Sequence, residues 1–340
     1  MGEQLIARQA EAAERALVPF YEAVTQSPIL DTRPVIADFF AGNPQEPTLP
    51  GVVAALQRWS VPRSIDWFSY GPMHEPARQA AAASLSTELG VRFAAKDVFL
   101  TRGAGGAIAL ALASVVDPGD EVIFLSPPWF FYETMIIASG ATPVRVRLQP
   151  PTFDLDVEAI VAALTPRTRA IIVNTPHNPT GRIYPTTTLQ CLAGGLARAG
   201  RRYGRPIWVI SDEAYSRILF DGRSFPSPGL FHPYSMLAHS YSKSALAPAQ
   251  RLGYLALVPG LPEAEVVRRA LLTFSFGLAP DAVMQYALPD IDGLLIDIAA
   301  LQRRRNRMLA AMRKLGYQVH SPEGTFYLLP RAPVADDRAF

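Results

Sequence analysis

The sequence predicts an α/β fold: a mostly parallel, seven-stranded sheet flanked by helices on both faces. Three observations predict it. Seven short apolar runs rich in Val, Ile and Leu fall between residues 97 and 258, bounded by Gly, Pro and polar residues. Segments with helical patterning separate them. Polar clusters follow several of the runs, and ligands of parallel sheets bind beyond the carboxyl ends of the strands. The bulk numbers agree with a packed interior: 340 residues, 49% hydrophobic and 18% charged.

In chain order, residues 2–26 read as a helix, and "FFAGNPQEPTLPG" (39–51) as a loop. "EPARQAAAASLSTELG" (75–90) is an Ala-rich helix closed by a glycine. The expected strands are "DVFL" (97–100), "EVIFL" (121–125), "PVRVRL" (143–148), "AIIVN" (170–174), "IWVIS" (207–211), "SMLAH" (235–239) and "GYLAL" (253–257). Residues 262–314 read as mainly helical, and "YQVH" and "TFYLLP" as the start of a smaller α+β unit. "RRRNR" (303–307) reads as a solvated helix face.

The formal net charge of +2 points to neither nucleic acid nor a membrane surface. The single cysteine, Cys191, fits a reducing compartment, and the N-terminus lacks the pattern of a signal peptide, so a cytoplasmic location is expected. No apolar run reaches the roughly 18 residues that a membrane span needs. His74, His232, His239 and His320 show no metal-ligand spacing, so no metal is expected, and His177 reads as structural or supporting.

The chemistry gathers at strand ends. "SYSKSALAPAQRLGY" (240–254) sets Lys243 between Ser240 and Ser242, with Arg251 beyond. A guanidinium and hydroxyls suit a phosphate. "TRGAGGAIALALA" (101–113) puts Gly103, Ala104, Gly105 and Gly106 between a strand and a helix, where backbone N–H groups bind anions. Two phosphate-suited elements and one lysine point to a phosphorylated cofactor with a carbonyl, pyridoxal phosphate. Such a cofactor needs a carboxylate on its ring nitrogen, and Asp212 ends a strand. Its ring oxygen needs donors, which Asn178 and Tyr215 supply. Its ring face needs an aromatic neighbour, Trp129.

Taken in order, "YGPMHEPAR", "NTPHNPTG", "SDEAY" and "SYSKSALAPAQRLGY" resemble the class I/II aminotransferase family, the aspartate-aminotransferase-like, fold-type-I pyridoxal phosphate enzymes. The resemblance runs from about residue 36 to the C-terminus. It implies that Lys243 carries the cofactor as a Schiff base and serves as general base, and that Asp212 pairs with the pyridinium. Asn178 and Tyr215 hold its ring oxygen, and Trp129 stacks on the ring. The Ala104 and Gly105 amides, Ser240, Ser242 and Arg251 bind phosphate. Tyr70 is similar to a tyrosine that reaches the neighbouring subunit's phosphate, which implies a homodimer with active sites at its interface. Gly42 matches a loop near the substrate carboxylate, and Trp129 and Asn178 are expected at the substrate as well.

The implied reaction is ping-pong transamination between an α-amino acid and a 2-oxo acid. A lyase, cyclase or β/γ-replacement enzyme of specialised biosynthesis is the alternative on the same cofactor; another is a pyridoxal-phosphate-binding protein without turnover. The implied domains are 1–50, an N-terminal helix and substrate loop of the small domain; 51–275, the large cofactor-binding domain; and 276–340, an interdomain helix and the start of a small domain that is incomplete here. Ala249 and the stretch "MHEPAR" depart from the family by lacking a glycine. The family carries a near-terminal arginine that binds the substrate α-carboxylate; Arg331 and Arg338 lie too early to match it, which implies either a fragment or an altered or lost activity. Phe39, Trp129, Phe131, Tyr132 and Phe276 favour an aromatic or bulky aliphatic substrate side chain.

Overall fold

The computed structural model describes residues 5–25, 42–44, 46–277 and 279–336. Each of the seven apolar runs forms a strand within one residue or two of its expected limits. They are β1 (Val98–Thr101), β2 (Glu121–Ser126), β3 (Thr142–Arg147), β4 (Thr168–Asn174), β5 (Trp208–Asp212), β6 (Ser235–Ser240) and β7 (Gly253–Leu257). They form one sheet in the order β1-β7-β6-β5-β4-β2-β3. Neighbours from β6 through to β3 pair in parallel. β7 alone runs the other way and pairs antiparallel with both β1 and β6. Its first residue therefore lies beside the last residues of its neighbours, with Gly253 opposite Thr101 and Ser240.

Alternate side chains of the inner strands enter two cores, as the two-residue period requires. Val122, Phe124, Ala170, Ile172 and Ile210 face one. Ile123, Leu125, Ile171, Val173 and Val209 face the other. The helices α3 (Glu75–Leu89), α4 (Gly103–Val115) and α10 (Ala282–Ile291) cover the first face. α6 (Val157–Ala162) and α7 (Thr186–Tyr203) cover the second. α3 buries Ala77, Ala81, Ala82 and Leu85 along one stripe and stops at Gly90, whose φ of 68° suits a helix end. α4 is apolar nearly all round and buries eight of its residues, the pattern of a helix held inside the protein.

Four further helices complete the framework ahead of the C-terminal region. α1 (Arg8–Thr25) lies against α5 (Phe131–Ala138), with Phe20 stacked on Phe130 at 3.9 Å between ring centres. α2 (Pro50–Trp59) packs on α10, and α8 (Tyr241–Ser244) is a single turn directly after β6. The stretch read as mainly helical contains α9 (Ala264–Phe274), α10 and α11 (Ile298–Lys314).

Near the C-terminus, Val319 of "YQVH" bridges Pro330 of "TFYLLP", and Gly324 bridges Leu219, both antiparallel and isolated. On α11, "RRRNR" is not wholly solvated: Arg305 donates to Asp221 at 2.6 and 2.7 Å and lies over the Phe220 ring. Its side chain is 8% exposed, so the helix is tied to the loop after β5.

Candidate active site

The carboxyl ends of β1, β4, β5 and β6 and the start of β7 converge on one cavity of about 170 Å³. Ala104, Gly105, Trp129, Asn178, Asp212, Tyr215, Ser240, Ser242, Lys243 and Arg251 all line it. Their order along the chain gives no hint of this meeting; the sheet order produces it.

At one end lies a cradle for an anion. Ser240 Oγ donates to Ser242 Oγ at 2.9 Å and accepts the Ser242 N–H, capping α8. Arg251 donates to Ser242 Oγ at 3.2 Å and to the carbonyls of Pro248 and Arg102 at 2.8 and 3.0 Å. Gly103 opens α4 with φ 74°, and a Cβ there would sit 2.8 Å from an Arg251 nitrogen. Glycine is thus required twice over, by backbone conformation and by the approach of the guanidinium. The first-turn N–H groups of α4 have no partner inside the helix and face the same cradle as Arg251.

At the other end Asp212 terminates β5, buried at 5% exposure. The Tyr132 hydroxyl donates to its Oδ2 at 2.5 Å and the Ala214 N–H to its Oδ1 at 3.2 Å. Burial nonetheless raises the carboxyl above its usual range, the two bonds opposing it. A cationic N–H brought to this oxygen pair therefore meets an acceptor that gains from the charge. Asn174 ends β4, donates to the Asp212 carbonyl at 3.0 Å and accepts the Asn178 N–H at 2.7 Å. That pair fixes the turn from which the Asn178 side chain enters the cavity.

Lys243 lies between the two ends. Its Nζ donates to the Gly42 carbonyl at 2.6 Å and sits 5.5 Å from the centre of the Phe326 ring. Burial, then the nearby Arg251 charge, lower its amine to about 8. The Tyr215 and Tyr327 hydroxyls share a 2.8 Å hydrogen bond on the same wall. Trp129 closes the mouth edge-on to Tyr132, its ring tip 3.5 Å from where a Gly105 Cβ would stand.

Several candidates lie elsewhere. Tyr70 is fully exposed and away from the cavity in the single chain. Phe276 is 92% exposed, and Phe39 lies outside the described residues. Phe131 packs on Trp129 at 5.3 Å. His177 is buried in its turn against Thr180 Oγ1 at 2.9 Å, and burial lowers its pKa to about 3, so it stays neutral. Among the described residues no cluster of His, Cys, Asp and Glu could hold a metal ion.

Sequence reasoning missed the roles of Asn174 and Tyr327, and read Tyr132 only as an aromatic of the pocket. Asn174 carried a signal, a polar residue ending a buried strand. Tyr327 carried none, since it arrives from a remote segment.

A reactive lysine, a buried acid opposite it and an anion cradle on an α/β sheet define a pyridoxal-phosphate site. The groups fit that cofactor: hydrogen-bond donors for its phosphate, a carboxylate acceptor for its ring N–H and an amine for its aldehyde carbon. Comparison with known proteins agrees. The aminotransferase class I and II profile matches residues 35–340, and the chain belongs to that family. An aspartate/prephenate aminotransferase of Thermus thermophilus is 31% identical over 271 residues, covering 76% of this chain and 68% of the relative. A probable N-succinyldiaminopimelate aminotransferase of Mycobacterium tuberculosis is 30% identical over 317 residues, covering 91% and 78%. The structure of Thermus thermophilus aspartate aminotransferase with maleate superposes with a TM-score of 0.79 at 27% identity, covering 97% of this chain and 87% of that one. The protein is a pyridoxal-phosphate-dependent aminotransferase.

Proposed function

We propose that the chain moves the amino group of an α-amino acid to a 2-oxo acid in two half-reactions, with Lys243 as the covalent anchor of the cofactor and as its proton carrier. Pyridoxal phosphate, when bound, supplies an aldehyde that condenses with amines and a ring that accepts the electrons left when a proton leaves Cα. The chain supplies the rest. Ser240, Ser242, Arg251 and the α4 amides hold the phosphate. Asp212 accepts the ring N–H, with Tyr132 keeping its carboxylate in place. Tyr215 and Asn178 donate to the ring oxygen. A lysine lowered to about 8 keeps a useful neutral fraction near neutral pH, so Nζ would hold the cofactor at its aldehyde carbon and would accept the Cα proton. The observation that carries this reading is the convergence of Lys243, Asp212 and the Ser240–Ser242–Arg251 cradle on one cavity.

The aromatic walls, Trp129, Tyr132 and Tyr327, support an aromatic or bulky aliphatic amino donor. We further read residues 51–275 as the large cofactor domain, 1–50 as an N-terminal helix and substrate loop of the small one, and 276–340 as an interdomain helix followed by the start of the small domain. A homodimer is supported by the exposure of Ile65 (98%), Tyr70 (105%) and Phe276 (92%), apolar surface that a second copy would cover. Among the described residues no helix is long and apolar enough to cross a membrane, and the lone cysteine supports a cytoplasmic setting.

The test is chemical. Borohydride reduction of the cofactor-loaded protein should fix one cofactor mass on the peptide holding Lys243. Lys243→Ala should carry no such mass and lose at least about 10³-fold in kcat for a panel of amino donors. An adduct on another lysine overturns the assignment.

A further inference from the structure

We propose that Tyr327 is a positioning residue of the cofactor site: it donates to the Tyr215 hydroxyl, leaving the Tyr215 proton to face the bound ligand, and Glu323 clamps the strained turn that presents it. The proposal rests on the reading that Tyr215 donates to the cofactor's ring oxygen.

The geometry begins with two phenols 2.8 Å apart, oxygen to oxygen. Burial raises both above the usual tyrosine value, so both keep their protons at neutral pH. Two protons and one shared bond leave one hydroxyl proton for a third acceptor. Both rings line the cavity, so that acceptor is a ligand atom there. An acceptor beyond Tyr215 draws its proton away and makes Tyr327 the donor between them; hydrogen bonds in such a chain polarise one another.

Tyr327 reaches that position on a costly backbone. Thr325, fully buried, has φ 66°, a left-handed conformation that a β-branched residue seldom adopts. Its Oγ1 accepts the Tyr327 N–H at 3.2 Å, and its own N–H donates to the Ile218 carbonyl at 3.1 Å. Strain of this kind persists where surrounding structure imposes it, and here Glu323 does so. Its buried carboxylate accepts from Arg182 at 3.0 Å, from the Ile183 N–H at 2.8 Å and from Arg223 at 3.1 Å. The Glu323 and Gly324 N–H groups both donate to the Gly181 carbonyl. A Cβ on Gly181 would stand 2.2 Å from Pro322, so the two turns pack without a gap. Gly181 and Arg182 belong to the turn that carries Asn178. One carboxylate thus registers the Tyr327 turn against the Asn178 turn.

The experiment is a pH titration of the visible absorbance of the cofactor-loaded protein, for wild type, Tyr327→Phe, Tyr215→Phe and the double variant, with thermal melts as a folding control. A hydrogen bond to the ring oxygen favours the state in which that oxygen carries more negative charge, the state with its neighbouring nitrogen unprotonated. Weakening the donor should therefore raise the titration midpoint. Tyr327→Phe is expected to raise it by about half a pH unit. Tyr215→Phe should raise it further, and the double variant should match Tyr215→Phe alone, because Tyr327 acts through Tyr215. Glu323→Gln should move the midpoint in the same direction. An unchanged midpoint in Tyr327→Phe, or additive shifts in the double variant, overturns the proposal while leaving the cofactor reading intact. A wild-type protein without any titrating band, or a Tyr215→Phe midpoint equal to that of wild type, overturns the reading of Tyr215 as donor to the ring oxygen and this proposal with it.

Discussion

Lys243 shows how one side chain's surroundings set its chemistry. In water its amine would be almost wholly protonated at neutral pH and inert toward an aldehyde. Here burial, and then the Arg251 charge, bring it to about 8. The neutral fraction grows as pH rises through that value. The rate of covalent cofactor uptake by the unloaded chain should therefore climb with pH and level off above about 8. Stopped-flow absorbance across that range checks it, and a midpoint near that of a free lysine would refute it. Tyr132 makes a second case. Its hydroxyl is held 2.5 Å from Asp212 in a fully buried setting. Tyr132→Phe removes a bond worth about 1.5–3 kcal/mol to a charged acceptor and should cut kcat/KM about ten- to hundredfold, with the fold unchanged by circular dichroism. Lys243, Asp212, Asn178 and Arg251 were legible because their residue types fall at strand ends in a recognisable order. The Tyr132–Asp212 bond was not, because a tyrosine in an aromatic run looks the same whether its hydroxyl meets an acid or solvent.

Among the elements, the start of α4 and the end of β5 govern the site. Gly103→Ala would strain a φ of 74° and press on Arg251. It should cost about 1–3 kcal/mol of stability and weaken cofactor binding about tenfold, measured by thermal melts and fluorescence titration. Gly105→Ala is the contrast, because its Cβ would meet only Trp129 at an ordinary 3.5 Å. It should change stability by no more than about 0.5 kcal/mol. Past β5, Glu213 is buried and accepts from Ser211 and Ser227 at 2.8 and 2.5 Å. Burial raises it from 4.5 to about 8. The folded chain thus holds a proton that the unfolded chain releases across that window, so stability contributed by this group falls as pH rises from 4.5 to about 8. Glu213→Gln should flatten that slope and raise the melting temperature more at about pH 8 than at about pH 5. The strands themselves were legible because a buried strand is a short apolar run with β-branched residues. The direction of β7 was not, since pairing direction depends on the path of the chain and leaves no mark on five apolar residues.

At the scale of the whole molecule, the exposed Ile65, Tyr70 and Phe276 predict a dimer. Sedimentation velocity should give twice the chain mass. Co-refolding inactive Lys243→Ala chains with Tyr70→Ala chains should restore native sites by pairing an intact Lys243 with an intact Tyr70 from the second copy, in about a quarter of sites at equal mixing. No gain over the Tyr70→Ala parent would count against Tyr70 reaching across. The reversed β7 has a consequence for biosynthesis. The phosphate cradle needs Gly103, the serines ending and following β6 and Arg251 just before β7, and these become neighbours only once β7 has slotted between β1 and β6. A growing chain still tethered to the ribosome short of residue 257 has the glycine turn and the serines but nothing to hold them together. Vitamin capture is accordingly a late event in the life of each new chain, following the insertion of a single strand one place in from the sheet's edge.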